Sequence, residues 1–157
     1  MKKLIIILAL ALMCLQISAQ ESINEQEYVD LGLPSGTLWK SSNEKYYYTP
    51  DGAVQEFGMN LPKKEHYQEL IDYCKWEYQN GGYVVVGPNG NKILLPLTGC
   101  LDENGTVIYY GEFGTHYFIG PCYALCFGIA GADILMLNEF DLKYYFSIRL
   151  VDNNQKD

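Results

Sequence analysis

Apolar positions change their spacing several times along this chain, and each change marks an element. Tyr67, Leu70, Ile71, Cys74 and Tyr78 recur at i, i+3, i+4, i+7 and i+11, while Lys64, Glu65, Gln68, Glu69 and Asp72 fall mostly between them. That spacing lays one apolar stripe along a helix and predicts one main helix for the chain. Pro62 suits its first turn, where a missing N–H leaves no bond unmade. Upstream, 28–31 and 37–39 flank a corner from Gly32 to Gly36 that contains Pro34 and Ser35, and this pattern predicts a hairpin.

From Gly81 onward the spacing shortens to strands and turns. Residues 83–86 and 92–95 flank Gly87-Pro88-Asn89-Gly90-Asn91, and 106–110 follow the turn Asp102-Glu103-Asn104-Gly105. Strands are also predicted over 123–129, 134–137 and 144–151. On the last of these, Phe146, Ile148 and Leu150 alternate with Ser147, Arg149 and Val151, so one face is strongly apolar. Short antiparallel strands with one main helix give an α+β fold. Arg149 is the only arginine in the chain. On so apolar a strand it needs a carboxylate or several carbonyls, because a buried guanidinium without partners is costly.

The first residues carry a different pattern. Met1-Lys2-Lys3, an apolar run over 4–15 and then Gln16-Ile17-Ser18-Ala19 form the basic, apolar and small-residue regions of a signal peptide, with cleavage expected after Ala19. The run is shorter than the roughly 20 residues a bilayer span needs, so no transmembrane segment is expected after processing. Cys14 lacks the small preceding residue that lipoprotein processing prefers. The chain is therefore expected to be exported, to the periplasm, the cell surface or the medium. Residues 20–157 form one domain whose ordered core covers about 27–151, with polar lead-in and tail segments outside it.

Charge narrows the partners. The formal net charge is −8, from 11 basic and 19 acidic residues, and removal of Lys2 and Lys3 makes it more negative still. No Lys or Arg cluster exists to displace counterions from phosphates, which excludes nucleic acid as a partner. All fourteen Tyr lie beyond the signal segment. Tyr is a good strand former, and it also combines a flat apolar face with a hydrogen-bonding tip suited to sugars and protein surfaces.

Candidate chemistry is sparse. Cys74, Cys100, Cys122 and Cys126 remain after processing, and an oxidising compartment permits three disulfide connectivities. Cys122 and Cys126 on one extended segment would stand about 13 Å apart at roughly 3.3 Å per residue, too far for a disulfide. Free thiols and a Cys74 to Cys100 bridge both stay open. His66 and His116 are the only histidines, and neither sits in a triad or zinc motif. His116 lies in an aromatic stretch flanked by Gly114. Asn138, Glu139 and Asp141 form an oxygen-rich group, but the spacing calls for no metal, and no cofactor is expected. Asn104-Gly105-Thr106 matches a glycosylation pattern and equally a plain hairpin turn.

The run Tyr28-Val-Asp-Leu-Gly-Leu-Pro-Ser-Gly-Thr-Leu-Trp39 resembles the opening of the Fibrobacter succinogenes major paralogous domain family. Leu61-Pro62 with 68–72 and 74–76, then Gly82-Tyr83-Val84 through 87–91 to Leu95-Pro96, and finally Phe146-Ser147-Ile148-Arg149-Leu150-Val151 are similar to later family motifs, in order. The chain departs from the family at Ser42, where a Cys is usual, and in the short stretch 43–59. Lys63 and His66 stand where the family has the Thr and Glu of a capping box, and Leu150 replaces a Pro. The resemblance implies a C-type-lectin-like fold whose first and last strands pair, here 29–31 with 147–150. It also implies ligand contact from the irregular segments 116–123 and 138–145. Those contain His116, Tyr117, Tyr123, Asn138, Glu139, Asp141, Tyr144 and Tyr145 as candidate ligand-binding residues.

The reading is a secreted, non-enzymatic binding module that presents Tyr-rich loops to a glycan or an extracellular protein. The alternatives are a structural or adhesive cell-envelope protein without a dedicated pocket and, more distantly, an oxidase like the formylglycine-generating enzymes. The last would use Cys122 and Cys126, although its Arg- and Trp-rich surroundings are missing.

Overall fold

A computed structural model describes residues 27–79, 81–108, 114–118, 123–128, 131–137 and 141–152. The first hairpin forms as its pattern predicts: β1 (Tyr28–Asp30) runs antiparallel to β2 (Leu38–Lys40), with Val29 opposite Trp39. Its corner is closed by the Gly36 N–H, which bonds to the Leu33 carbonyl at 3.0 Å. Gly36 adopts φ 71°, a conformation costly for any residue with a Cβ.

The last strand, β13 (Val151–Asp152), pairs with the opposite edge of β2, Val151 facing Trp39. First and last strands therefore share a three-stranded sheet with β2 between them, which corrects the expected direct pairing of 29–31 with 147–150. The local hairpin occupies one edge of β2 and leaves the other edge for the C-terminal strand. Residues 148–150 bond instead to the segment around the end of β2. Lys40 donates its N–H to the Leu150 carbonyl at 3.0 Å, and Glu44 donates to Ile148 at 2.8 Å.

Two helices follow, where the pattern predicts one. Helix α1 (Pro50–Phe57) has Pro50 in its first turn, and the Thr49 hydroxyl accepts the Gly52 N–H at 3.2 Å, a side-chain cap of ordinary kind. It buries Pro50 and Ala53. A single 3₁₀ turn, Gly58–Asn60, leads towards α2 (Lys64–Tyr73). Helix α2 begins after an N-cap at Lys63, so Pro62 precedes it rather than sitting in its first turn. It stops at Tyr73, and Tyr78 belongs to the next strand, β4 (Lys75–Gln79). A spacing of four residues satisfies a period of 3.6 and a period of two alike, which is why Cys74 and Tyr78 read as a continuation of the stripe.

Strand β4 pairs with β5 (Gly82–Val86), and β5 with β6 (Lys92–Pro96), in a second antiparallel sheet. The β5–β6 turn is the one predicted from Gly87 to Asn91, closed by Gly87 N–H to Asn91 at 2.8 Å and Gly90 N–H to Gly87 at 3.0 Å. Gly87 is required by contact: a Cβ there would run into the Leu31 carbonyl oxygen. Asn89 and Asn91 both donate side-chain N–H groups to the Asp30 carbonyl, at 2.9 and 2.8 Å. The turn is thereby tied to the first hairpin.

The third sheet is the largest among the described residues. Its order is β11 (Gly131–Met136), β10 (Tyr123–Gly128), β9 (Gly114–Phe118), β12 (Tyr145–Ser147), β7 (Cys100–Leu101) and β8 (Val107–Ile108), with β3 (Tyr47–Tyr48) also pairing β12. The predicted strand over 144–151 is thus divided between β12 and β13. Pairing is antiparallel throughout except between β9 and β12, where His116 stands opposite Ser147 in parallel. The architecture is α+β, mostly strands in small antiparallel sheets with two short helices. No helix among the described residues is long and apolar enough to cross a membrane.

Two buried clusters hold these sheets together. The larger includes Leu31, Trp39, Tyr67, Leu70, Val85 and Phe127; the smaller includes Ala53, Leu61, Phe146 and Ile148. Trp39 packs on Tyr67 with ring centroids 5.1 Å apart. Arg149, only 1% exposed, is held as its apolar surroundings demand. Its Nε donates to Asn43 Oδ1 at 2.7 Å, Nη1 to the Lys40 carbonyl at 2.7 Å and Nη2 to the Leu94 carbonyl at 2.6 Å. One side chain thus joins β2 of the first sheet to β6 of the second. Burial lowers its pKa to about 10, against the pull of Tyr67 and Glu44, and the guanidinium stays charged at neutral pH.

Candidate functional site

Helix α2 points Tyr67 and Leu70 into the larger core and leaves Lys64, Glu65, Gln68 and Glu69 on its outer side. These four line a shallow open groove of about 280 Å³, close to the lower limit of small-ligand sites. Two neighbouring elements approach the same helix face. The Ser35 turn is bound to it through Glu69, whose Oε1 accepts the Ser35 N–H at 3.0 Å and whose Oε2 accepts the Ser35 hydroxyl at 2.5 Å. On the other element, the Lys64 ammonium lies 4.9 Å from the ring centroid of Tyr123, at the start of β10, within cation–π range. Gln68 donates to Asp72 at 2.9 Å along the helix.

The N-terminus of α2 uses an unusual cap. The Lys63 N–H, which no helix carbonyl can accept, donates to Nδ1 of His66 at 3.2 Å. His66 thereby does the work of the N3 Glu in a capping box. At the other end, the Trp76 indole N–H donates to the Leu70 carbonyl at 2.9 Å. Cys74 follows the helix, and burial together with Glu69 pushes its thiol up to about 11.

Among the described ligand-binding candidates, Tyr123 and Tyr145 stand apart. Tyr123 is half-buried, packs on the larger core and stands opposite Phe118. Asp141 lies in a 3₁₀ turn, Asp141–Lys143, closed by the Tyr144 N–H on the Asp141 carbonyl at 3.0 Å. Tyr144 packs on the smaller core, and Tyr145, 37% exposed, stands opposite Leu101. With Ser147 opposite His116 in parallel, Tyr145 is level with Gly114. Tyr123 is level with Phe118, four residues or roughly 13 Å further along β9. The two groups sit towards opposite ends of the sheet. His116 and Tyr117 are in β9 itself, pairing with Leu125 and Ala124, rather than in an irregular loop. Asn138 and Glu139 lie outside the described residues.

The spacing of Lys64, Glu65, Gln68 and Glu69 marks a solvated helix face. It carries no sign that the Ser35 turn and β10 come up beside it, because those approaches are long-range. The groove carries two carboxylates, an amide and an ammonium, of which Glu69 is bound to Ser35, Gln68 to Asp72, and Lys64 lies over the Tyr123 ring. Among the described residues no group of three or more His, Cys, Asp or Glu is placed to hold a metal ion. Comparison with protein-family models, curated proteins and solved structures found no match for this chain.

Proposed function

We propose that this chain is an exported, non-enzymatic binding module of C-type-lectin-like fold, and that its ligand is a glycan or an extracellular protein, the glycan being favoured. The observation that carries this reading is the open groove on α2 lined by Lys64, Glu65, Gln68 and Glu69, with the Tyr123 ring beside it under the Lys64 ammonium. Flat aromatic faces stack on sugar rings while carboxylates and amides orient the hydroxyls. The ordered likeness to the Fibrobacter succinogenes major paralogous domain family supports the scaffold and leaves the ligand to the groove.

A glycan array followed by calorimetry on the best saccharide tests the reading. Tyr123→Ala and Gln68→Ala should each weaken binding about tenfold, the equivalent of about 1.4 kcal/mol. An array without hits, or affinity unchanged in both variants, overturns the glycan assignment.

A second reading, an adhesive envelope component, is favoured by β11, the outermost strand of its sheet among the described residues, where Leu135 is 48% and Met136 70% exposed. An apolar edge of this kind invites strand pairing between copies. Concentration-dependent self-association that Met136→Lys abolishes would support it, and a monomer at all concentrations would remove it.

A further inference from the structure

The cap on α2 differs from an ordinary capping box in one respect: its acceptor can take up a proton near neutral pH. A Glu in this place loses its charge only well into the acid range, whereas imidazole changes state between about pH 5 and 8. For His66 to accept the Lys63 N–H at 3.2 Å, Nδ1 must carry no proton and the hydrogen must sit on Nε2.

We propose that the His66 to Lys63 bond is an acid-released clasp on the first turn of α2, and that its release loosens the wall of the adjoining groove. Protonation at Nδ1 turns the acceptor into a donor and breaks the bond. It also adds positive charge beside Lys63 and Lys64 at a helix N-terminus, where the macrodipole disfavours cations. The next residues, Lys64 and Glu65, line the groove, and Lys64 lies over Tyr123. Loss of the first turn therefore reaches the groove directly.

The charged groups bearing on His66 are Lys63, Glu69 and Glu65, all on α2 or its cap; β11, which packs against α2, carries Asp133, which is exposed. Burial, followed by Lys63, holds the imidazole below its ordinary value of 6.5, while Glu69 and Glu65 oppose the shift. With the folded value depressed, the unfolded chain binds the proton more readily. The clasp's contribution is therefore complete above about pH 6.5 and is lost as pH falls through the lower folded value.

The effect on ligand binding rests on the reading of the groove as a site, but the clasp does not. The test reads the unliganded chain by NMR. The His66 ring should titrate below 6.5, and the Lys63 amide and Tyr123 ring signals should shift with the same midpoint. Protection of the His66 and Tyr67 amides, both bound to the Lys63 carbonyl, should fall about fivefold across it, the size of a lost helix cap. His66→Gln keeps a neutral acceptor and should hold the Lys63 amide signal constant over the same range; His66→Ala should leave the turn loose at every pH. A Lys63 amide that ignores the ring's titration, or one that still shifts in His66→Gln, overturns the proposal. A Tyr123 ring that stays unmoved overturns its extension to the groove. A glycan array without hits would sink the glycan assignment and leave this titration intact.

Discussion

Arg149 shows how much one residue can carry. Its three bonds end on Asn43, Lys40 and Leu94, and removing the guanidinium takes the donor from three partly buried acceptors and leaves a cavity where a side chain only 1% exposed had stood. Arg149→Ala should cost about 3–5 kcal/mol in denaturant unfolding. Arg149→Lys should recover only part, since an ammonium lacks the planar fork; a loss below 1 kcal/mol in both variants would contradict this account. The lone arginine on an apolar strand announces its need for partners, and no feature of the sequence says which carbonyls supply them. Cys100 makes the opposite case. Burial first, then Cys126, Asp141 and Asp102, push its thiol up to about 11, so little thiolate exists at pH 8. Cys100 should react with maleimide far more slowly in the native chain than in denaturant, as mass spectrometry of the labelled peptide would report. Labelling at the rate of an exposed thiol would refute it.

At the scale of elements, local signals account for most hairpins and for less of the helices. The β5–β6 and β7–β8 turns lie where their Gly and Asn residues place them, because turn chemistry acts within a few positions. Helix α1 escapes a periodicity search, since eight residues with Pro50 and Ala53 buried show no full apolar stripe. Its start is legible all the same as Thr49-Pro50-Asp51, a capping residue, a first-turn proline and an early acid. Thr49→Ala should lower stability by about 1 kcal/mol, measurable as a shift in urea midpoint at constant slope. No shift would mean that packing alone holds the helix. Gly87→Ala should cost more, about 1–3 kcal/mol, because the new methyl meets the Leu31 carbonyl rather than a movable side chain.

Across the whole molecule, the pairings that the sequence leaves open are the long-range ones. Strand β2 has two free edges, and local pattern assigns only the one taken by β1. The placing of β9 between β10 and β12, which sends Tyr123 and Tyr145 towards opposite ends of the sheet, depends on register alone. The groove on α2 depends likewise on where β10 and the Ser35 turn arrive. Arg149 draws its partners from 106, 109 and 55 residues earlier in the chain, and that has a consequence in time. Closing loops of such length is entropically slow. A chain emerging N-terminus first from a ribosome or a narrow channel has no guanidinium to offer until residue 149 is free. Until then the carbonyls of Lys40 and Leu94 must find their partners in water. The side chain that joins the first two sheets comes from the segment between the last two strands, after those sheets have left the channel.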